Sequence, residues 1–142
     1  MSSVPRLSVV TPCFNEAEGL PIFLADLREC LNAVGVSYEV VVVDDGSSDS
    51  SWDVVSGLDW PQLRGVRLLT NRGHQVALDA GLRAASGDYV VTMDSDGQHP
   101  PAAVAQLFEA AQSQRVDVVY GIRSDRSDDG WAKRQSAKAY YR

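Results

Sequence analysis

The chain has 142 residues, 44% of them hydrophobic and 23% charged, which is the balance of one globular domain large enough to bury a core. Its net charge of -6 argues against nucleic acid as the main partner. The N-terminus lacks the pattern of a signal peptide, and no apolar run approaches the ~20 residues that span a bilayer. Cys13 and Cys30 have no metal-ligand spacing, so we expect reduced thiols in a cytosolic protein.

Charge is unevenly distributed along the chain. Six basic and three acidic residues follow Ile122, which gives this end a net charge of +3 and leaves -9 for the first 122 residues. A basic end suggests a phosphate or an anionic membrane surface as a partner, although charge runs are more often solvated faces.

Apolar runs of strand length alternate with helical patterns along the whole chain. The predicted strands are residues 7–11, 38–43, 66–70, 89–93 and 116–120. The predicted helices are residues 20–34, about 50–58, 74–85, a segment after Pro101, and one that begins near Trp131. This alternation predicts a single α/β domain, over residues 1–142, with a largely parallel sheet flanked by helices.

Polar residues that are unusual in type follow each predicted strand. They are Asn15 and Glu16, Asp44 and Asp45, Asn71 and Gly73, Asp94 and Asp96, and Arg123. The carboxyl ends of parallel strands share one edge of the sheet, where open α/β proteins bind their ligands. The sequence therefore predicts a binding site at that edge.

Asp94 and Asp96 lie two residues apart just after the fourth predicted strand, so their side chains should point to the same side. Two carboxylates there favour a hard divalent cation whose other ligands are phosphate oxygens. The alternative is a solvated acidic turn before a helix that Pro100 and Pro101 open. His99 is expected to form a hydrogen bond within this loop rather than to bind a metal.

The sequence does not contain the glycine-rich loops that bind phosphate directly through the backbone. The chain has neither a Walker loop nor a G-x-G-x-x-G motif after its first strand. A metal on Asp94 and Asp96, helped by Arg123, is the route that remains. Asp45 could accept hydrogen bonds from a base or a ribose, and the alternative for Asp45 is a helix N-cap.

Five motifs carry a resemblance to a known family. They are residues 11–16 (TPCFNE), 43–49 (VDDGSSD), 71–73 (NRG), 94–101 (DSDGQHPP) and 119–126 (VYGIRSDR). In this order they resemble the family 2 inverting glycosyltransferases of the GT-A fold, a Rossmann-like nucleotide-sugar-binding domain. The last two motifs and the basic residues near the end most resemble its polyprenyl-phosphate branch, which includes dolichyl-phosphate mannose synthase and undecaprenyl-phosphate glucosyltransferases.

The resemblance implies a role for particular residues. The nucleotide pocket would comprise Pro12, Phe14, Glu16, Val43, Asp45, Gly73 and Asp94. Asp94, Asp96 and Gln98 would hold Mg²⁺ or Mn²⁺. Asp94, Asp96 and Arg123 would be catalytic, and Arg123, Arg126 and Arg134 would meet the acceptor phosphate. The chain departs from the family at Cys13 and Phe14, where Thr-Tyr is commoner, and at Gly97, where Leu is usual. Family members also continue well beyond the length of this chain.

The expected activity is transfer of a hexose, with inversion, from a UDP- or GDP-linked sugar to a polyprenyl phosphate. It would take place in the cytoplasm, at the inner face of the membrane in a longer form of the chain. A nucleotide-sugar-binding module that is catalytically incomplete is the main alternative. A response-regulator receiver domain would place its acidic pair after the first strand, and a sugar nucleotidyltransferase would place a basic Gly-rich loop there. The residues do not indicate an oligomeric state.

Overall fold

The computed structural model describes residues 4–122, which fold into one parallel sheet with helices on both faces. The strands are β1 (Leu7–Cys13), β2 (Tyr38–Asp44), β3 (Leu63–Arg67) and β4 (Tyr89–Thr92). The helices are α1 (Leu20–Val34), α2 (Ser51–Ser56), α3 (His74–Ala84) and α4 (Ala103–Gln114). The strand order is β3-β2-β1-β4, and every pair is parallel. The predicted α/β architecture is confirmed.

The two central strands are largely apolar because helices cover both of their faces. All seven residues of β1 are buried, as are the last five of β2. The strands run in register from Leu7 opposite Tyr38 to Cys13 opposite Asp44, so they end at the same level. The loops that follow β1 and β2 therefore emerge side by side at the carboxyl edge.

The core is divided by the sheet into two parts. On one face, the leucines of α1 and Phe108 of α4 pack with Val9, Val40 and Val42. On the other face, α3 packs against Val10, Val41 and Val43 through Ala77 and small neighbours. A Cβ atom on Gly81 would lie 2.3 Å from Val10 Cγ1, so α3 lies unusually close to the sheet.

Helix α1 has the boundaries that its sequence predicts. Pro21 lies in the first turn, where a missing N–H costs nothing, and Gly35 ends the helix with a φ of 76°. Within residues 4–122, no helix combines the length and the apolar character needed to cross a membrane.

Two predicted strands differ in the structure. The third strand, predicted at 66–70, lies at Leu63–Arg67 because pairing with β2 ends where Asp44 meets Arg67; Leu69, beyond it, is 98% exposed. The fifth strand, predicted at 116–120, does not form. Among residues 4–122 this run pairs with no strand, although the edge of β4 away from β1 has no strand partner there, and Val118 and Tyr120 are exposed.

Candidate functional site

A cavity of about 300 Å³ lies at the carboxyl edge of the sheet, where the sequence predicts a site. Residues that follow all four strands contribute to its walls. They are Pro12, Cys13, Phe14, Glu16, Asp45, Asn71, Gly73, His74, Asp94, Ser95 and Asp96. We call this cavity the edge pocket.

The loops after β1 and β2 form one wall of the edge pocket and are joined by polar contacts. Asn15 adopts a left-handed conformation with a φ of 51°, which is tolerated by asparagine. Its Oδ1 accepts hydrogen bonds from the backbone N–H groups of Ser48 (2.9 Å) and Asp49 (3.3 Å), and its own N–H donates to Ser47 Oγ. Two further contacts run from Glu16 N to Ser51 Oγ and from Ala17 N to Asp49 Oδ2. We call this set of contacts the loop clasp.

Asp45 connects the loop after β2 to the segment that precedes α3. Its side chain accepts hydrogen bonds from Arg72 N at 2.8 Å and from Gly73 N at 3.0 Å. Gly46, with a φ of 69°, allows this close approach, since a Cβ there would lie 2.3 Å from the carbonyl carbon of Thr70. Asp45 is 4% exposed and lines the pocket, so it holds the start of α3 while keeping lone pairs toward the cavity.

The loop of residues 94–99 forms the opposite wall. Ser95 is buried, and its Oγ donates a hydrogen bond to the carbonyl of Pro12 at 3.1 Å, which anchors the loop to the end of β1. The carboxylate of Asp94 lies between two imidazoles, 3.6 Å from His74 Nε2 and 3.9 Å from His99 Nε2. Asp94 and Asp96 both face the edge pocket, as their spacing predicts.

The electrostatic character of the edge pocket is strongly negative. Glu16, Asp45, Asp94 and Asp96 line it, whereas no lysine or arginine among the residues described does so. Burial, followed by the fields of Asp44 and other nearby carboxylates, raises the pKa of Cys13 to about 12. The Cys13 thiol is therefore not an activated nucleophile. The carboxylates that line the pocket would repel a phosphate unless a cation offset their charge.

The oxygen donors fit a hard divalent cation of that kind. Asp94 and Asp96 supply carboxylate oxygens, which are the ligands that Mg²⁺ prefers. Residues 4–122 hold no group of three or more His, Cys, Asp or Glu that could bind a metal without further ligands. Two carboxylates leave coordination positions for phosphate oxygens. The arrangement therefore suits a metal that binds together with a diphosphate.

The structure brings most of the predicted site residues together. The edge pocket is lined by Pro12, Phe14, Glu16, Asp45, Gly73, Asp94 and Asp96. Val43 is fully buried in the core beneath α3, and Gln98 is not among the lining residues, although its N–H donates to Asp96 Oδ1. Arg123, Arg126 and Arg134 lie outside the residues that the structure describes.

Some residues of the site were not selected as site residues from the sequence. Cys13 and Ser95 line the pocket and were given no role, whereas Asn71 and His74, which also line it, were expected near this edge but without a specific role. Their position in the sequence could have identified them, because each lies within or beside a motif at the end of a strand. The loop clasp gave a weaker signal, since Asn15 and the serines at 47, 48 and 51 are residue types common in any turn.

Comparison with known proteins places these observations in a family. A profile described as "Glycosyl transferase family 2" matches residues 8–142. An undecaprenyl-phosphate 4-deoxy-4-formamido-L-arabinose transferase of Aeromonas hydrophila is 36% identical over 140 residues, covering 96% of this chain and 42% of that protein. A bactoprenol glucosyl transferase of Shigella phage SfV is 37% identical over 139 residues, covering 96% and 45%. The chain thus spans less than half the length of these curated relatives.

Solved structures share the fold. A mannosyltransferase from Pyrobaculum calidifontis, PcManGT, in complex with GDP-Man and Mn²⁺, superposes with a TM-score of 0.66 at 30% identity, covering 78% of this chain and 33% of the other. TarS of S. aureus in complex with UDP-GlcNAc gives a TM-score of 0.65 at 22% identity, covering 84% and 37%. The GT-A fold expected from the motifs is confirmed.

Proposed function

Because the chain belongs to glycosyl transferase family 2, we propose that its edge pocket binds a nucleotide-diphosphate sugar and that the protein transfers the hexose to a polyprenyl phosphate. One observation carries the proposal. Seven residues predicted for nucleotide or metal binding, drawn from motifs that are far apart in the chain, line a single cavity. The names of the relatives, which specify undecaprenyl phosphate and bactoprenol, support a lipid phosphate as the acceptor.

The nucleoside would occupy the side of the pocket formed by the loops after β1 and β2. Phe14 is 43% exposed, so its ring offers an apolar face to a base. Asp45 would accept a hydrogen bond from the base with the lone pairs that Arg72 and Gly73 leave free. Val43, which is buried in the core, would act only by supporting this wall.

The diphosphate would lie beside Asp94 and Asp96, which would hold Mg²⁺ or Mn²⁺, with Gln98 as a further ligand from the same loop. The cation would neutralise the diphosphate and so stabilise the charge that develops on the leaving nucleotide. This position agrees with the acidic lining, which would otherwise repel phosphate oxygens.

The acceptor would approach from the side opposite the leaving nucleotide, so a single displacement at the anomeric carbon would invert it. A lipid monophosphate, with a second pKa of ~6, is mostly dianionic at neutral pH and needs little general-base help. Positioning and charge neutralisation would therefore supply most of the rate. We propose Arg123, Arg126 and Arg134 as the groups that meet this phosphate, at the cytoplasmic face of the membrane.

Calorimetry with GDP and UDP tests the donor site. We expect binding of one nucleotide that strengthens when Mn²⁺ is added and loses this dependence in Asp96→Asn. Asp88→Asn is the matched control, because Asp88 pairs with Arg6 beside the start of β1, at the other edge of the sheet. Equal affinity in the presence of chelator would remove the metal from the proposal, and no binding of either nucleotide would remove the donor site.

Nucleotide-sugar binding without transfer is the second candidate. It is favoured by the length of the match, since the relatives have more than half of their residues outside it. On this second candidate, the 142-residue chain would bind nucleotide but show no transfer to a polyprenyl phosphate. Measurable transfer by this form would exclude the second candidate.

A further inference from the structure

The loop of residues 94–99 is held in shape by contacts within itself as well as by its anchor on β1. Gln98 N–H donates to Asp96 Oδ1 at 2.9 Å across Gly97, whose φ is 81°. Asp94 N–H donates to His99 Nδ1 at 3.0 Å. The second contact closes the loop, because it joins its first residue to its last.

The position of Asp94 just beyond the end of β4 explains why its N–H donates to an imidazole rather than to a neighbouring strand. Met93 N–H makes the last contact with β1, through the carbonyl of Val10 at 3.1 Å. Because consecutive residues of an extended chain point their N–H groups to opposite sides, Asp94 N–H faces away from β1. No strand among the described residues pairs with β4 on that side, so the imidazole supplies the acceptor that a neighbouring strand would otherwise provide.

This hydrogen bond fixes the state of the ring. A nitrogen that accepts an N–H carries no proton, so neutral His99 must carry its proton on Nε2. Nε2 lies 3.9 Å from Asp94 Oδ2, so the N–H edge of the ring faces the carboxylate of the residue whose backbone it binds. With Nδ1 engaged and Nε2 protonated, His99 has no lone pair for a metal.

We propose that His99 is a positioning residue for the donor site. By accepting Asp94 N–H at Nδ1, it holds the 94–99 loop in the conformation that presents the Asp94 and Asp96 carboxylates to the edge pocket. His99 itself is not among the residues that line this pocket. Its effect on nucleotide binding rests on the proposed function, whereas the hydrogen bond and the tautomer do not.

Two substitutions of nearly equal shape separate this role from simple packing. Asparagine places an oxygen where histidine has Nδ1, so His99→Asn can keep the acceptor. His99→Leu places a methyl group there and leaves Asp94 N–H without its partner. We expect His99→Asn to bind nucleotide with Mn²⁺ within about threefold of the wild type, and His99→Leu to bind about tenfold or more weakly. The gain in affinity from Mn²⁺ should shrink in His99→Leu alone, with the folded fraction of each variant checked by circular dichroism.

Two measurements on nucleotide-free protein test the proposal even if no nucleotide binds. Nitrogen-15 spectra that distinguish the two imidazole nitrogens should show the His99 proton on Nε2 and none on Nδ1. Amide exchange at Asp94 should be slow in the wild type and in His99→Asn, and faster in His99→Leu. A proton on Nδ1, or equal behaviour of the two variants in exchange and in binding, would overturn the assignment.

Discussion

Gly73 N–H donates a 3.0 Å hydrogen bond to Asp45 Oδ2, and this contact joins the end of β2 to the first turn of α3. Arg72 N–H makes the matching bond to Oδ1, so one buried carboxylate orients two successive amides. Asp45 therefore shapes the edge pocket before any ligand arrives.

Asp45→Asn is expected to loosen this segment and to weaken nucleotide binding. An asparagine has one acceptor oxygen, and its NH₂ group would face a backbone N–H, so one amide would lose its partner. We expect a loss of about 1–3 kcal/mol in nucleotide binding free energy and faster exchange of the Arg72 and Gly73 amides. Weaker binding with unchanged exchange would mean that Asp45 acts only on the base.

Glu39 is expected to make a contribution to folding stability that depends on pH. Burial raises its pKa, but hydrogen bonds from Ser8 Oγ and from Ser86 outweigh burial and leave the pKa below its ordinary value. The contribution is therefore full above the unfolded pKa of about 4.3 and is lost as the pH falls through the folded pKa.

Denaturant unfolding of Glu39→Gln between about pH 3 and pH 7 measures this contribution. The stability difference from the wild type should be largest near neutrality and should shrink below about pH 4.3. Glu29→Gln, on the exposed side of α1, is the matched control for the loss of one carboxylate. A constant difference at every pH would indicate that Glu39 acts through packing alone.

Gly81→Ala is expected to destabilise the fold although alanine favours helices. The added Cβ would lie 2.3 Å from Val10 Cγ1 and 3.0 Å from Val43 Cγ2, so α3 would have to move away from the sheet. Overpacking typically costs about 1–3 kcal/mol, against a gain in helix propensity of about 1 kcal/mol. The double variant Gly81→Ala with Val10→Ala should be destabilised by less than the sum of the two single variants, because the smaller side chain makes room for the new Cβ. Additive destabilisation would show that the contact with Val10 does not cause the loss of stability.

The two cysteines are expected to differ in reactivity. Cys13 is 4% exposed, and burial raises its pKa to about 12. Burial also raises the pKa of Cys30 on α1, but that thiol is partly exposed, so reagent can reach it. Iodoacetamide at pH 8 should label Cys30 first and should label Cys13 only in denaturant, with Cys30→Ser as the control. Rapid labelling of Cys13 in the native protein would show that the wall of the edge pocket opens in solution.

Three strands were predicted close to their observed positions, and the two central ones owe their pattern to burial on both faces. Residues 7–11 and 38–43 are mostly apolar because helices cover both faces of these central strands. Their polar exceptions are Ser8, Thr11 and Glu39. The run at 116–120 is also rich in valine, yet it pairs with no strand among residues 4–122, although the outer edge of β4 has no strand partner there. An apolar run shows that a segment can be buried but does not show its partner.

For the site, the sequence could locate residues but could not assign their contacts. Position after a strand was sufficient to bring Glu16, Asp45 and Asp94 to one cavity. It did not show that Asp45 binds two backbone amides, since that depends on where Gly46 lets the chain turn. Val43 was predicted to line the nucleotide pocket, but alternation along β2 directs its side chain into the core beneath α3.

The loop clasp has a consequence for exchanging parts between relatives. Asn15 and its partners at residues 47–49 come from segments that lie more than thirty positions apart, and each segment supplies hydrogen bonds that the other lacks. Replacing one segment alone would leave donors or acceptors unmatched at the seam. A chimera designed to alter nucleotide preference should therefore carry both segments from the same parent, as a single cassette that is discontinuous in the gene.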